Sequence, residues 1–197
     1  MCGICGFVRF QEPPPPEAER QRLEHMVQTL YHRGPDESGM AVHDTVAMGM
    51  RRLSIIDLGG GTQPIYNEDR TVWTVFNGEI YNFQELKHDL QQHGHIFTTN
   101  SDTEVIVHGY EQYGIDFPKH LNGMFAIALH DRKNQRVILA RDHLGIKPLY
   151  YCCTDRQLIF GSEIKAMLAS DMVDRALDMN SLAAFLSWEY VPGPATM

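Results

Sequence analysis

Apolar positions alternate or cluster along this chain in two rhythms, and the rhythms divide it into strands and helices. Ile4 to Phe10 reads as a buried strand, stopped by the four prolines Pro13 to Pro16. Leu23, Met26, Val27, Leu30 and Tyr31 fall three and four residues apart, one face of a helix over Glu17–Arg33. Short strand-like pieces follow at Gly39–His43, Thr45–Met50 and Leu53–Ile56, before a loop at Gly59-Gly60-Gly61. Arg70–Phe76 alternates, is rich in β-branched and aromatic residues, and predicts a strand that ends in the turn dipeptide Asn77-Gly78.

Phe83, Leu86 and Leu90 mark a second helix, and Ser101-Asp102-Thr103-Glu104 has capping-box spacing for the start of a third. Met124–His130 and Arg136–Arg141 predict a hairpin, as do Leu149–Cys153 and Gln157–Phe160. Helical stretches are expected near Glu163–Ala169 and Ser181–Trp188, and Tyr190–Met197 reads as the start of a linker. Strands in hairpins with helices in separate groups predict an α+β class with mainly antiparallel sheet.

Composition narrows the function by exclusion. Among 197 residues, 25 acidic against 17 basic side chains give a net charge of −8, with no basic run, so no nucleic acid is expected as a partner. No apolar stretch reaches 18 residues and no signal peptide opens the chain, so no membrane partner and a cytoplasmic setting are expected. Four cysteines, Cys2, Cys5, Cys152 and Cys153, are too few and too clustered for a disulfide framework.

One of them changes the picture. Cys2 follows Met1, so removal of that methionine leaves a thiol and a free α-amine on one residue. α-Amines titrate close to neutral pH, so such a residue supplies both a nucleophile and the base that takes its proton. An acyl substrate then needs oxyanion donors, and the Asn77 amide with the Gly78 N–H could converge on one oxygen. Arg52 could hold an α-carboxylate bidentately, and Glu79 and Asp102 an α-ammonium. Each has a plainer alternative. Asn-Gly is often only a turn, Asp102 could serve the helix dipole, and the Glu79 carbonyl could replace its carboxylate. Cys2-x-x-Cys5 has metal or redox spacing, but adjacent Cys152 and Cys153 would point to opposite faces of a strand and make poor co-ligands. His93 and His95 flank a glycine and are expected in a solvated turn. No metal site is expected.

The opening Met1-Cys2-Gly3-Ile4, His32–Asp36, Arg52–Asp57, Gln63-Pro64, Asn77–Asn82, Ser101-Asp102, Gly123–Ala126 and Arg141–Tyr151 together resemble the glutaminase domain of glutamine-hydrolysing asparagine synthetases, within the class II glutamine amidotransferases. The resemblance covers nearly the whole chain. It implies an N-terminal-nucleophile hydrolase fold, a four-layer αββα sandwich, over residues 1–170. Residues 171–197 would then begin a linker to an ATP-dependent synthetase domain. It implies Cys2, Asn77 and Gly78 in catalysis, Arg52, Glu79 and Asp102 on L-glutamine, and a structural role for His32–Asp36. No cofactor is implied for this stretch, because ATP and Mg would belong to the synthetase domain in cis. A homodimer is allowed by the sequence and not required by it. Cys5 and His143 depart from the family's usual small residue and arginine, and a Ser-Gly-Gly-x-Asp-Ser pyrophosphate loop is absent from these residues. A non-catalytic interaction domain with the same fold is the alternative.

Overall fold

The computed structural model describes residues 2–11, 14–53 and 61–197. Three expectations therefore lie outside the described residues: the state of Met1, the strand proposed over residues 54–56 and most of the triple-glycine loop.

Among the described residues, nine strands make two antiparallel sheets. The first has the order β2 (Glu37–His43), β3 (Val46–Arg52), β1 (Gly3–Arg9), β9 (Gln157–Gly161) and β8 (Tyr150–Cys153). The second runs β4 (Ile65–Tyr66), β5 (Val72–Ile80), β6 (Gly123–Asp131) and β7 (Arg136–Arg141). Both predicted hairpins form, β6 with β7 and β8 with β9. The long-range step, invisible to local pattern, is that the last strand returns to pair with the first, Cys5 opposite Gly161 and Arg9 opposite Gln157.

Strand alternation sorts the side chains into layers. From β1, Ile4 and Val8 point between the sheets, meeting Val46, Met48 and Met50 of β3 and Trp73, Val75, Ala126 and Ala128 of the second sheet. Trp73 is fully buried there and donates its indole N–H to His130 Nδ1 at 3.0 Å. The intervening residues of β1, Cys5 and Phe7, face α1 (Pro16–Gln28) and α4 (Ile164–Leu168), through Leu23, Met26, Leu30 and Ala166. On the far side, Phe76, Ile80, Phe125 and Ile127 pack under α2 (Phe83–Gln92), α3 (Glu104–Tyr113) and the 3-10 segment Gly114–His120, through Leu90, Ile106, Tyr110 and Phe117. The result is the helix–sheet–sheet–helix sandwich that the resemblance implied. A last helix, α5 (Met179–Trp188), starts where Asp178 accepts the Ser181 N–H at 2.6 Å. No helix among the described residues is long and apolar enough to cross a membrane.

Four local readings differ from expectation. Asn77-Gly78 is not a turn: β5 runs through it, with Asn77 opposite Ala126 and Gly78 opposite Phe125. Glycine is there for closeness, since a Cβ on Gly78 would stand 2.2 Å from the Met124 carbonyl oxygen. The capping box does not close, because Thr103 is the N-cap without a side-chain bond and Glu104 reaches back instead to Thr98 and Thr99. Helix α1 ends at Gln28, five residues early, and the chain tightens into i→i+3 turns (Leu30 to Val27, Arg33 to Leu30). Those turns bring Gly34 against Arg51, where a Cβ would meet backbone at 2.4 Å. His95 is not wholly solvated, because its ring lies 5.1 Å from that of buried His108.

Candidate functional site

The alternation that fills the inter-sheet core also delivers the site. Two residues before Ile4 comes Cys2, two after Met50 comes Arg52, and two and four after Val75 come Asn77 and Glu79. By the period of two, all four face the space between the sheets, at the end where the apolar side chains stop. They line one cleft together with Gly78 and Asp102. The six residues singled out from the sequence are thus brought to a single place.

Cys2 is half-buried, and its thiol lies 3.7 Å from the Leu53 carbonyl oxygen. Its own carbonyl accepts the Arg33 Nε–H at 2.9 Å. Arg33 is held in turn by Glu163 at 3.0 Å, and Glu163 also takes His32 at 2.8 Å and Lys165 at 3.2 Å. Burial works to raise the Glu163 carboxyl, but the bonds from His32, Arg33 and Lys165 outweigh it and hold it at about 2. The segment expected to be structural therefore tethers the Cys2 backbone. Arg51 is structural as well: it donates to the carbonyls of Gly34 at 2.7 Å and Pro35 at 3.1 Å and lies over the Tyr31 ring.

Two donors face the cleft from β5. Asn77 is 1% exposed, and its side-chain Nδ2 is buried without a hydrogen-bond partner among the described residues. A buried amide left unpaired costs about 1–3 kcal/mol, so one aimed into a cleft marks a place for an acceptor. The Gly78 N–H follows from the ladder. The Phe76 N–H donates to the Gln63 side chain at 2.6 Å and the Ile80 N–H to Asp102 at 2.9 Å, both on the edge of β5 away from β6. Gly78 lies between them, so its N–H points to that same edge. Alternation turns the Glu79 carbonyl the other way, toward β6, where a Cβ on Gly123 would stand 2.2 Å from it. The carboxylate of Glu79, not its carbonyl, is presented to the cleft.

Charge is distributed around these donors. Arg52 is buried and bonds Glu37 at 3.0 Å through Nη1. Asp102 is buried on the turn before α3. Burial pushes its carboxyl up, the Ile80 N–H opposes this, and the neighbouring Glu79 carboxylate adds to the rise. Gln63 and Lys147, both buried, also line the cleft. Neither was given a role from the sequence, although both stand in or beside the family segments. A glutamine and a lysine carry no spacing signal, and they arrive on irregular segments that only the tertiary structure positions. Lys147 rides on a loop held by Asp142, whose carboxylate accepts four backbone N–H groups, from Phe125, Leu144, Ile146 and Lys147. Cys5 takes no part. It faces the α1 layer, away from Cys2, and burial pushes its thiol far up.

Comparison with known proteins places the chain in a family. The family model for a glutamine amidotransferase domain matches residues 1–197. Asparagine synthetase [glutamine-hydrolyzing] 1 of Bacillus subtilis is 40% identical over 197 residues, all of this chain and 31% of the relative. The Zea mays asparagine synthetase is 45% identical over 168 residues, 85% of this chain and 28% of the relative. The chain thus spans about a third of the length of these relatives. Glutamine phosphoribosylpyrophosphate amidotransferase from B. subtilis superposes with a TM-score of 0.65 at 21% identity, over 86% of this chain and 44% of that one. That likeness bears on the fold, the N-terminal-nucleophile hydrolase arrangement of two stacked antiparallel sheets.

Proposed function

The chain belongs to the glutamine amidotransferase domain family, and from that premise we propose that it hydrolyses L-glutamine to glutamate and ammonia through a thioester on Cys2. The observation that carries this reading is the buried, unpartnered Asn77 amide in the same cleft as the Cys2 thiol.

With Met1 removed, the Cys2 α-amine takes the thiol proton as sulfur attacks the side-chain amide carbon of glutamine. The carbonyl oxygen becomes an oxyanion between Asn77 Nδ2 and the Gly78 N–H, donors already desolvated and in place. The protonated amine returns its proton to the leaving nitrogen, the C–N bond breaks and ammonia departs. Water then attacks the thioester with the amine again as base, releasing glutamate and the thiol. Arg52 holds the substrate carboxylate, while Asp102 and Glu79 hold the ammonium. An ammonium there also relieves the repulsion between the two carboxylates.

No cofactor enters these steps, and ATP and Mg belong to the chemistry of a second domain. That domain in cis would use the ammonia to form asparagine or a related amide. Its docking is supported by apolar side chains left in the open: Leu144 and Ile146 beside Lys147, and Leu186 and Trp188 on α5. The free state of all four cysteines suits a reducing, cytoplasmic setting.

The test is ammonia release by the purified chain, with Met1 removal verified by mass. Equimolar glutamate and ammonia are expected, and Cys2→Ala should reduce turnover to background while the circular dichroism spectrum is unchanged. A diazo-ketone analogue of glutamine should add one label, on the Cys2 peptide. Absence of turnover in the processed chain would favour the interaction-domain alternative and overturn the enzyme.

A further inference from the structure

On the far side of the second sheet, two histidines and two carboxylates converge: His95 after α2, Glu68 in the turn between β4 and β5, and His108 and Glu111 on α3. One ligand atom from each lies within 4.8 Å of all the others. His108 Nδ1 is 3.4 Å from Glu111 Oε2 and 3.6 Å from Glu68 Oε2, and His95 Nδ1 is 3.7 Å from Glu111 Oε2. Ligands about 2.0–2.1 Å from a tetrahedral zinc ion stand roughly 3.3 Å apart, so these three separations are a few tenths of an ångström from that figure.

The surroundings fix which atoms face inward. Glu68 Oε1 accepts the Ile96 N–H at 2.8 Å and Glu111 Oε1 accepts the Asn67 amide at 2.7 Å, leaving the Oε2 atom of each turned toward His108. His108 is 1% exposed, and its Nε2, without a hydrogen-bond partner among the described residues, lies 3.6 Å from Glu104 Oε1. Glu104 already takes the N–H and hydroxyl groups of both Thr98 and Thr99, at 2.6–3.0 Å. Glu104 stands on the Nε2 side of the ring, so Nδ1 is the ring nitrogen turned toward Glu68 and Glu111.

We propose that His95, His108, Glu68 and Glu111 form a closed, structural site for a divalent ion of the zinc class, joining the β4–β5 turn, the end of α2 and α3. Four protein ligands leave no open position, and the cluster does not share a residue with the Cys2 cleft. Binding displaces any proton on His108 Nδ1 to solvent.

The test uses the full chain, chelator-treated and with its accessible thiols alkylated, titrated with Co²⁺ and then Zn²⁺. One Co²⁺ per chain is expected, with the visible bands of a four-coordinate ion and no sulfur-to-metal charge-transfer band, and Zn²⁺ should displace it. His108→Gln risks the fold. The more exposed ligands decide the matter: His95→Gln and Glu68→Gln should each weaken binding about tenfold or more with the fold intact. Failure to bind one ion per chain would overturn the site and leave an ionic cluster in its place. A sulfur charge-transfer band, or affinity unchanged in both variants, would overturn it equally.

Discussion

The middle of the inter-sheet layer and its open end are built by the same strands with the same period, and they do opposite things. In the middle, Ile4, Met50 and Val75 meet across the gap with exposures of 0%, 1% and 0%. One step of two residues further, the same alternation presents Cys2, Arg52 and Asn77. The core gives way to the cleft because the side chains change from groups that satisfy one another by contact to polar and charged groups. Asn77 marks the change most clearly, for it is as buried as Met50 yet has an amide nitrogen without a partner among the described residues.

The comparison can be broken from the core side first. Phe160 is fully buried in the middle layer, with its ring against Gly6. Phe160→Ala should cost about 3–5 kcal/mol of stability in denaturant unfolding while kcat per folded molecule stays near wild type. Asn77→Ala should do the reverse. We expect kcat to fall about 10²- to 10³-fold with KM nearly unchanged, and stability to move little, because the variant removes an unpaired amide rather than a contact. A large stability loss without a kcat effect would place Asn77 with the core instead.

Asp102→Asn sharpens the division within the site. It should raise KM for glutamine about tenfold or more, the worth of a hydrogen bond to a charged group, with a smaller effect on kcat. Burial raises the Asp102 carboxyl above its ordinary 3.8, so in the wild type the ammonium-binding charge is lost as pH falls through that raised value. KM should climb toward acid pH earlier than for an ordinary aspartate, and the asparagine variant should lack that rise.

The smallest effect is expected at the tether. Glu163 is depressed from 4.5 to about 2, so its contribution is complete above pH 4.5 and is lost as pH falls through about 2. Glu163→Gln should lower stability by about 1 kcal/mol or less at pH 7, and the difference from wild type should vanish near pH 2 in thermal melts.

Much of this division was legible before the structure. The runs over 4–10, 124–130 and 136–141 are short and largely apolar, Arg70–Phe76 alternates, and the helices carry three-to-four spacing, so the elements could be read locally. What failed was local too. Asn77-Gly78 has the composition of a turn, yet glycine serves close strand approach as well as it serves turning, and only the pairing with Met124 and Phe125 distinguishes the two. Ser101–Glu104 has cap spacing, but Thr98 and Thr99 supply better donors to Glu104. The six site residues were reached through nucleophile chemistry and family segments. Gln63 and Lys147 were given no role, because their places depend on chain crossings that no window of sequence contains.

The clamp from Arg33 onto the Cys2 carbonyl has a practical bearing on how the protein is made. It grips a backbone oxygen and not the nitrogen of that residue, so extra residues fused ahead of Cys2 should not disturb this contact. Such a product would carry an amide where the proposed chemistry uses an amine. Purification handles therefore belong at the carboxyl end, and a soluble but inert preparation should first be weighed for unremoved leading residues.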